Sequence, residues 1–303
     1  MQRISSVEEI RAAVQSLRGQ PAAAGNGKMH GARSIGLVPT MGALHEGHLS
    51  LVRAARASCD AVVVSIFVNP TQFGPMEDFD IYPRRVEQDC ALLDGEGVDA
   101  VFLPSVEEMY PPGAATYVDV GKLGERLDGA SRPGHFRGVA TVVSKLFQIV
   151  DPDRAFFGQK DAAQVAVLRR MVRDMHFRTE LVACPIVREA DGLAMSSRNI
   201  YLSTDEREQA LVLNKALRII QNRFAEGERE AERLIASGLF VMSYEPMVRI
   251  DYLKVVHPQT LEDLYMVNGS ALVALAAFVG KTRLIDNVML EETVSQGVTP
   301  GRA

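Results

Sequence analysis

From residue 34 onward the chain alternates short, uniformly apolar runs with stretches whose apolar positions recur every three to four residues. The first kind predicts strands buried on both faces, over residues 35–38, 61–68, 100–103, 117–120, 155–157 and 180–184. The second kind predicts helices over 48–58, 84–94, 139–150 and 162–175. Two-sided strands that alternate with helices make a parallel sheet flanked by helices, an α/β fold. Ahead of it, Ser6 with Glu9 forms a capping box opening a surface helix, and a Gly/Ala-rich link follows at 19–32. The pattern changes near residue 188. Helical periodicity covers 204–224 and 228–239, and three longer runs at 248–256, 270–279 and 283–290 predict a small antiparallel sheet. The chain thus divides into a larger unit at 1–187 and a smaller α+β unit at 188–303.

Composition narrows the function classes. With 33 basic and 38 acidic residues the net charge is −5, so no basic excess points to nucleic acid and no polybasic block to a membrane surface. The longest apolar run is too short to cross a bilayer, and the N-terminus lacks the order of a signal peptide. Cys59, Cys90 and Cys184 are scattered, with no CxxC pair, which predicts free thiols in a reducing compartment. The expectation is a soluble, cytoplasmic protein.

Candidate chemistry gathers where strands are predicted to end. Residues 39–48 read Pro-Thr-Met-Gly-Ala-Leu-His-Glu-Gly-His, a glycine turn between a strand and a helix. His45 and His48 lie three positions apart at that helix start, where unpaired N–H groups and the macrodipole favour an anion. A nucleotide phosphate fits. The HExxH zinc motif fails because position 49 is Leu, and Gly25 to Met29 lacks the spacing of a P-loop. After the second strand comes Asn69-Pro70-Thr71-Gln72, where Gln72 offers a donor and an acceptor to a hydroxy-acid. After 155–157 comes Gly158-Gln159-Lys160-Asp161. Asp161 stands where a helix cap is expected, Lys160 implies an anion, and Gln164 lies one turn on. Met195-Ser196-Ser197-Arg198 at the unit junction adds two hydroxyls and a forked cation for phosphate oxygens.

The His-x-x-His turn and the Met-Ser-Ser-Arg loop resemble the class I aminoacyl-tRNA synthetase-like nucleotidylyltransferases, whose sheet is Rossmann-like. Longer segments are similar to the pantoate–β-alanine ligase family: 39–48, Phe67 to Phe73, Tyr82-Pro83-Arg84, Arg132 to Phe147, Phe156 to Asp161, Met195 to Asn199, and Gly280 to Asn287. That resemblance implies ATP-dependent joining of pantoate to β-alanine through a pantoyl adenylate, with Mg²⁺ and ATP as cofactors. It implies a nucleotide- and pantoate-binding first domain, a C-terminal lid domain, and a homodimer; the apolar 139–150 helix and the 117–120 edge are two surfaces that could serve as its contact, and the sequence does not choose between them. The catalytic set it implies is His45, His48, Lys160, Ser196, Ser197 and Arg198, with His48 as proton donor. It implies ATP contacts at Met41, Gly42, Ala43, Leu44, Glu46, Gly47, Gly158, Gln159, Asp161, Val187 and Met195 as well. Pantoate and β-alanine would meet Pro39, Thr40, Met41, Asn69, Gln72, Tyr82, Arg132, Phe157 and Gln164, and Asp89 would serve the metal. Two positions depart from the family pattern, Ala163 for a frequent Gln and His257 for an expected Asp. The alternatives are a related nucleotidyltransferase acting on a phosphorylated alcohol, a dinucleotide redox enzyme, and a nucleotide sensor. The first strand lacks a following GxGxxG, which weighs against the redox reading.

Overall fold

The structure, a computed structural model, describes residues 1–19, 32–75 and 77–291. Nearly all of the link expected at 19–32, and the tail after 291, lie outside the described residues. The first unit runs β1 (Gln2–Ile4), α1 (Val7–Gly19), β2 (Ile35–Thr40), α2 (Glu46–Ser58), β3 (Ala61–Ile66), α3 (Val86–Gly95) and β4 (Ala100–Phe102). It continues through short helices α4 (Val106–Met109) and α5 (Asp128–Ser131), then α6 (His135–Val150), β5 (Arg154–Gly158), α7 (Ala162–Asp174) and β6 (Glu180–Cys184). All six strands are parallel, in the order β1-β4-β3-β2-β5-β6.

The strand order reverses between β2 and β5. In open α/β sheets the crevice beyond the C-terminal strand ends at such a reversal takes the ligand. The turn after β2 carries His45 and His48, and the turn after β5 carries Lys160. β2 runs on through Pro39, two residues past the predicted end. The carbonyls of Ser34 and Thr40 bond towards β3 and that of Ile35 towards β5, so Pro39 faces the β5 side. Pairing with β5 stops at Leu37, and the N–H that proline lacks is not needed there.

Two sequence expectations fail here. Residues 117–120 form no strand; the segment is largely exposed and is tied down where Val118 N–H donates to Thr141 Oγ1 at 2.9 Å. The sixth strand is instead β1, a three-residue edge with only Ile4 buried, too short to leave a periodic signal. α6 also starts at His135 rather than 139, after Gly134 at φ +83°.

The second unit holds α8 (Thr204–Ala225), α9 (Ala231–Met242) and the antiparallel strands β7 (Val248–Val256), β8 (Ala271–Val279) and β9 (Thr282–Leu290). Ser203 and Glu206 close a capping box on α8. One face of this sheet packs under α8 and α9, where Leu213, Leu217, Leu234, Val273 and Leu275 share a core. Residues Val256, Leu272 and Ala274 join the core of the first unit instead. α6 lies in that first core, with Val139, Val143, Leu146 and Phe147 buried, so it is not available as a dimer contact. The three cysteines are free and buried. Among the described residues no helix is long and apolar enough to cross a membrane.

Candidate active site

The turn after β2 is strained and then clamped. Gly42 and Ala43 both take positive φ, +84° and 51°. For Ala43 this costs on the order of 1 kcal/mol, which the surroundings must supply. They do so through Asp89 on α3. Its two carboxylate oxygens accept the N–H groups of Ala43 at 2.9 Å and Leu44 at 2.8 Å, and the side chain is 1% exposed. The role this gives Asp89 in the structure is to clamp the turn, one N–H to each oxygen, whereas the sequence expectation placed it near a metal. Among the described residues no group of three or more His, Cys, Asp or Glu could hold a metal ion. Thr40 also turns inward: its hydroxyl donates to Ser65 O at 2.8 Å and accepts from Gly42 N–H, so it shapes the turn and does not face a substrate.

The clamp delivers two histidines in one defined state. His45 caps α2, its Nδ1 accepting from Gly47 N–H at 3.1 Å. His48 Nδ1 accepts from His45 N–H at 3.3 Å, and the rings lie 4.1 Å apart. With both Nδ1 atoms accepting, each neutral ring carries its proton on Nε2 and presents an N–H donor away from the helix. Burial, then the charge of Lys160, lowers His45 to about 4. Burial, then His45 and Lys160, lowers His48 to about 3. Lys160 makes no ion pair among the described residues, so its charge is free for an anion. Asp161, expected as the cap of α7, makes no capping hydrogen bond.

A second cluster forms around Gln72. Asn69 is 1% exposed and fully used: Nδ2 donates to Gln72 Oε1 and Gly138 O, and Oδ1 accepts from Thr71 and Tyr110. Asn69 therefore orients Gln72 and has no donor or acceptor left for a ligand, contrary to its expected substrate contact. Gln72 Nε2 reaches Met41 Sδ at 3.2 Å, joining this cluster to the turn after β2. Phe157 is buried in the core behind.

Two arginines of the site are already paired. Arg132 holds Glu77 in a two-point contact and donates to Gln72 O, and Arg198 holds Asp78 at 2.8 and 2.9 Å. The adjacent carboxylates Glu77 and Asp78 thus supply countercharge to two separate cations, which no sequence pattern announces. Sequence reasoning also passes over His135, although it lies in the quoted 132–147 segment. Its Nδ1 donates to Gln72 O at 2.8 Å, and burial, then Arg132, lowers it to about 4. Ser196 Oγ accepts from Arg198 N–H, and Ser197 Oγ lies 3.3 Å from the buried Tyr82 hydroxyl. Met195 N–H donates to Val187 O, so the junction is a short hairpin whose outgoing end carries the two serines.

Only some of these parts line one cavity between the first sheet and the second unit; His45, His48, Gln72, Ser197 and Tyr82 are not in its wall. Arg132, His135, Lys160, Asp161, Gln164, Ser196 and Arg198 face it, as do Arg283 and Asp286 from β9. Its wall carries the cations Arg132, Lys160, Arg198 and Arg283 beside Asp128, Asp161 and Asp286, and of these cations only Lys160 lacks an ion pair among the described residues. Asp89 faces a different cavity, with Met41, Gly42 and Arg84.

Comparison with known proteins shows the family. Residues 2–289 match the family model described as pantoate-beta-alanine ligase. A pantothenate synthetase of Acidobacterium capsulatum is 69% identical over 293 residues, covering 97% of this chain and 98% of its own. One from Thermotoga neapolitana is 54% identical over 290 residues, covering 96% of this chain and 100% of its own. The crystal structure of pantothenate synthetase from Thermus thermophilus superposes with TM-score 0.86 at 47% identity, covering 95% of this chain and 99% of that one. The Francisella tularensis pantoate-beta-alanine ligase, complexed with beta-gamma ATP and beta-alanine, gives TM-score 0.75 at 34% identity, over 97% and 98% of the two chains.

Proposed function

The chain belongs to the pantoate–β-alanine ligase family, and from that premise we propose how its residues carry out the reaction. The protein is an ATP-dependent ligase that joins pantoate to β-alanine in pantothenate biosynthesis. The proposed route has two steps. A pantoate carboxylate oxygen attacks the α-phosphorus of ATP; the O–P bond forms as the bond to the β-phosphate breaks, and pyrophosphate leaves. The β-alanine amine then attacks the acyl carbon, the C–O bond to AMP breaks, and the amine proton passes to solvent.

Such chemistry asks the protein for placement and charge rather than covalent participation. His45 and His48 would direct Nε2–H at phosphate oxygens, with His48 nearest the reacting phosphorus as the donor. Lys160, Ser196, Ser197 and Arg198 would take the β- and γ-phosphates, at the cost of the Arg198–Asp78 pair. Gln72 and Gln164 would hold the pantoate hydroxyl and carboxylate, with Met41 as an apolar wall, and Arg132, Tyr82 and Pro39 at the margin. The remaining backbone of 41–47, 158–161, Val187 and Met195 would border the nucleotide. Mg²⁺ would enter as the counter-ion of ATP and neutralise phosphate charge, taking few protein ligands, with Asp89 as the carboxylate that could stand near it.

The carrying observation is that the turn after β2 with its two histidines and the turn after β5 with Lys160, which makes no ion pair among the described residues, meet at the reversal of strand order. Pantoate-dependent exchange of labelled pyrophosphate into ATP tests the route. Exchange that ignores pantoate would overturn it in favour of a plain nucleotidyltransferase. We also propose the division at 1–187 and 188–303, with the second unit as lid; its own core is built entirely from residues after 192. A cytoplasmic homodimer completes the reading, supported by the family and by three free thiols. Sedimentation at the mass of a single chain would refute the dimer.

A further inference from the structure

One dipeptide of the second unit touches both phosphate-facing loops. Asn287 on β9 is 3% exposed, and its Nδ2 donates to Gln159 O at 2.9 Å and Lys160 O at 2.8 Å. Both protons of one amide are spent on the turn that carries the lysine. Asp286, 4% exposed, takes Arg188 in a bidentate pair at 2.7 and 2.9 Å. Arg188 belongs to the junction hairpin, where it also donates to Gly192 O at 3.1 Å and pairs across to Ala194. That hairpin leads directly into Ser196, Ser197 and Arg198. Asp286 Oδ1 further accepts the N–H of Asn287 at 2.8 Å, so the two side chains are locked to one another through the backbone.

We propose that Asp286 and Asn287 are positioning residues for adenylation: from one strand they set the separation of the Lys160 turn and the Ser196–Arg198 loop. The physical reasons are specific. Backbone carbonyls at a turn preceding a helix have no ladder partner, and buried carbonyls left unpaired would pull that turn towards water. An amide that grips two successive carbonyls fixes the turn in translation and in rotation. A bidentate carboxylate–guanidinium pair does the same for the hairpin. Because the grips come from neighbouring positions on a strand paired throughout with β8, their relative placement is rigid. Neither residue needs to meet a ligand through the groups described. The assignment rests on the ligase reading of the same site.

A double-mutant cycle separates positioning from bulk stability. Asn287→Asp is isosteric and turns an oxygen towards the two carbonyls; Asn287→Ala removes the amide. Each is made in the native chain and in Lys160→Ala, and pantoate-dependent ATP–pyrophosphate exchange is measured with thermal unfolding. In the native background, exchange should fall by about tenfold to about a hundredfold, the cost of a small misplacement. In Lys160→Ala the same substitution should cost less than about threefold, since the group it positions is gone. Equal losses in both backgrounds would overturn the proposal and leave Asn287 a fold residue only. Asp286→Asn crossed with Arg198→Ala asks the same of the hairpin, with additive losses as the refuting result. Native protein without pantoate-dependent exchange would refute the ligase route itself, which keeps the two failures distinct.

Discussion

Where protons sit decides what His45 and His48 can do. Each Nδ1 accepts a backbone N–H, so protonating it removes a cap from α2, in addition to placing a charge beside Lys160. A bound triphosphate reverses the balance, since nearby negative charge favours imidazolium. In the free protein the rings should titrate near pH 4 and near pH 3. ATP should move both upward, read from ring-carbon chemical shifts. Rings indifferent to ATP would remove them from the phosphate path. The depressed values also fix a sign for stability. An unfolded histidine takes its proton near 6.5, while folded His45, His48 and His135 wait until about 4, about 3 and about 4. Between those values the unfolded state binds more protons, so stability is full above pH 6.5, falls as pH drops through this window, and levels off below it. Replacing His48 by Ala should lower the adenylation rate by about a hundredfold to a thousandfold, the usual cost of one transition-state donor. Normal single-turnover adenylate formation would refute that role.

Among elements, the contact of α6 with the 69–72 turn places Gln72, the residue proposed to hold pantoate. Gly138 lets them meet: a Cβ there would lie 2.3 Å from Thr71 O and 2.7 Å from Gln72 Cα, both backbone atoms. Gly138→Ala must therefore push the turn away, at about 1–3 kcal/mol of overpacking. It should lower Tm and raise KM for pantoate more than KM for ATP; an unchanged ratio of the two would separate α6 from pantoate binding. Much of this layer was legible beforehand. Uniformly apolar runs announced β2 to β6, because a strand buried on both faces can carry little else, and the glycine turns after β2 and β5 followed from them. The 117–120 segment misled because its two valines look like half of an alternating strand, while no neighbour is there to pair. At the site, motifs carried His45, Lys160 and Gln72. Sequence could not show that Asn69 is spent inside the protein and Asp89 clamps the turn after β2, nor that Glu77 and Asp78 answer two arginines 55 and 120 positions away. Those facts are contacts between distant segments, and a local pattern holds no record of them.

Across the whole molecule, the proposed route asks charges around the cavity to change partners. Arg198 from the second unit pairs with Asp78 from the first, and both side chains are partly buried. Burial pushes the Asp78 carboxyl up, yet the hydrogen bonds and charge of Arg198 outweigh it and hold it below its ordinary value. On the proposed route, a phosphate that took the Nε and Nη2 donors of Arg198 would have to displace Asp78, and part of its binding energy would be consumed in doing so. Asp78→Asn weakens that competition. The variant should unfold at lower temperature than the native protein without ATP, because a half-buried guanidinium loses its charged partner. Its gain in Tm on adding ATP should nevertheless be larger, since a ligand stabilises the folded state in proportion to the logarithm of its affinity. A tenfold tighter ATP corresponds to about 1.4 kcal/mol of extra stabilisation at saturating ligand. Thermal unfolding of both proteins across an ATP series decides it. Equal or smaller ATP shifts in the variant would mean that Arg198 keeps Asp78 throughout, and that the polyphosphate is gripped by Lys160 and the two serines without it.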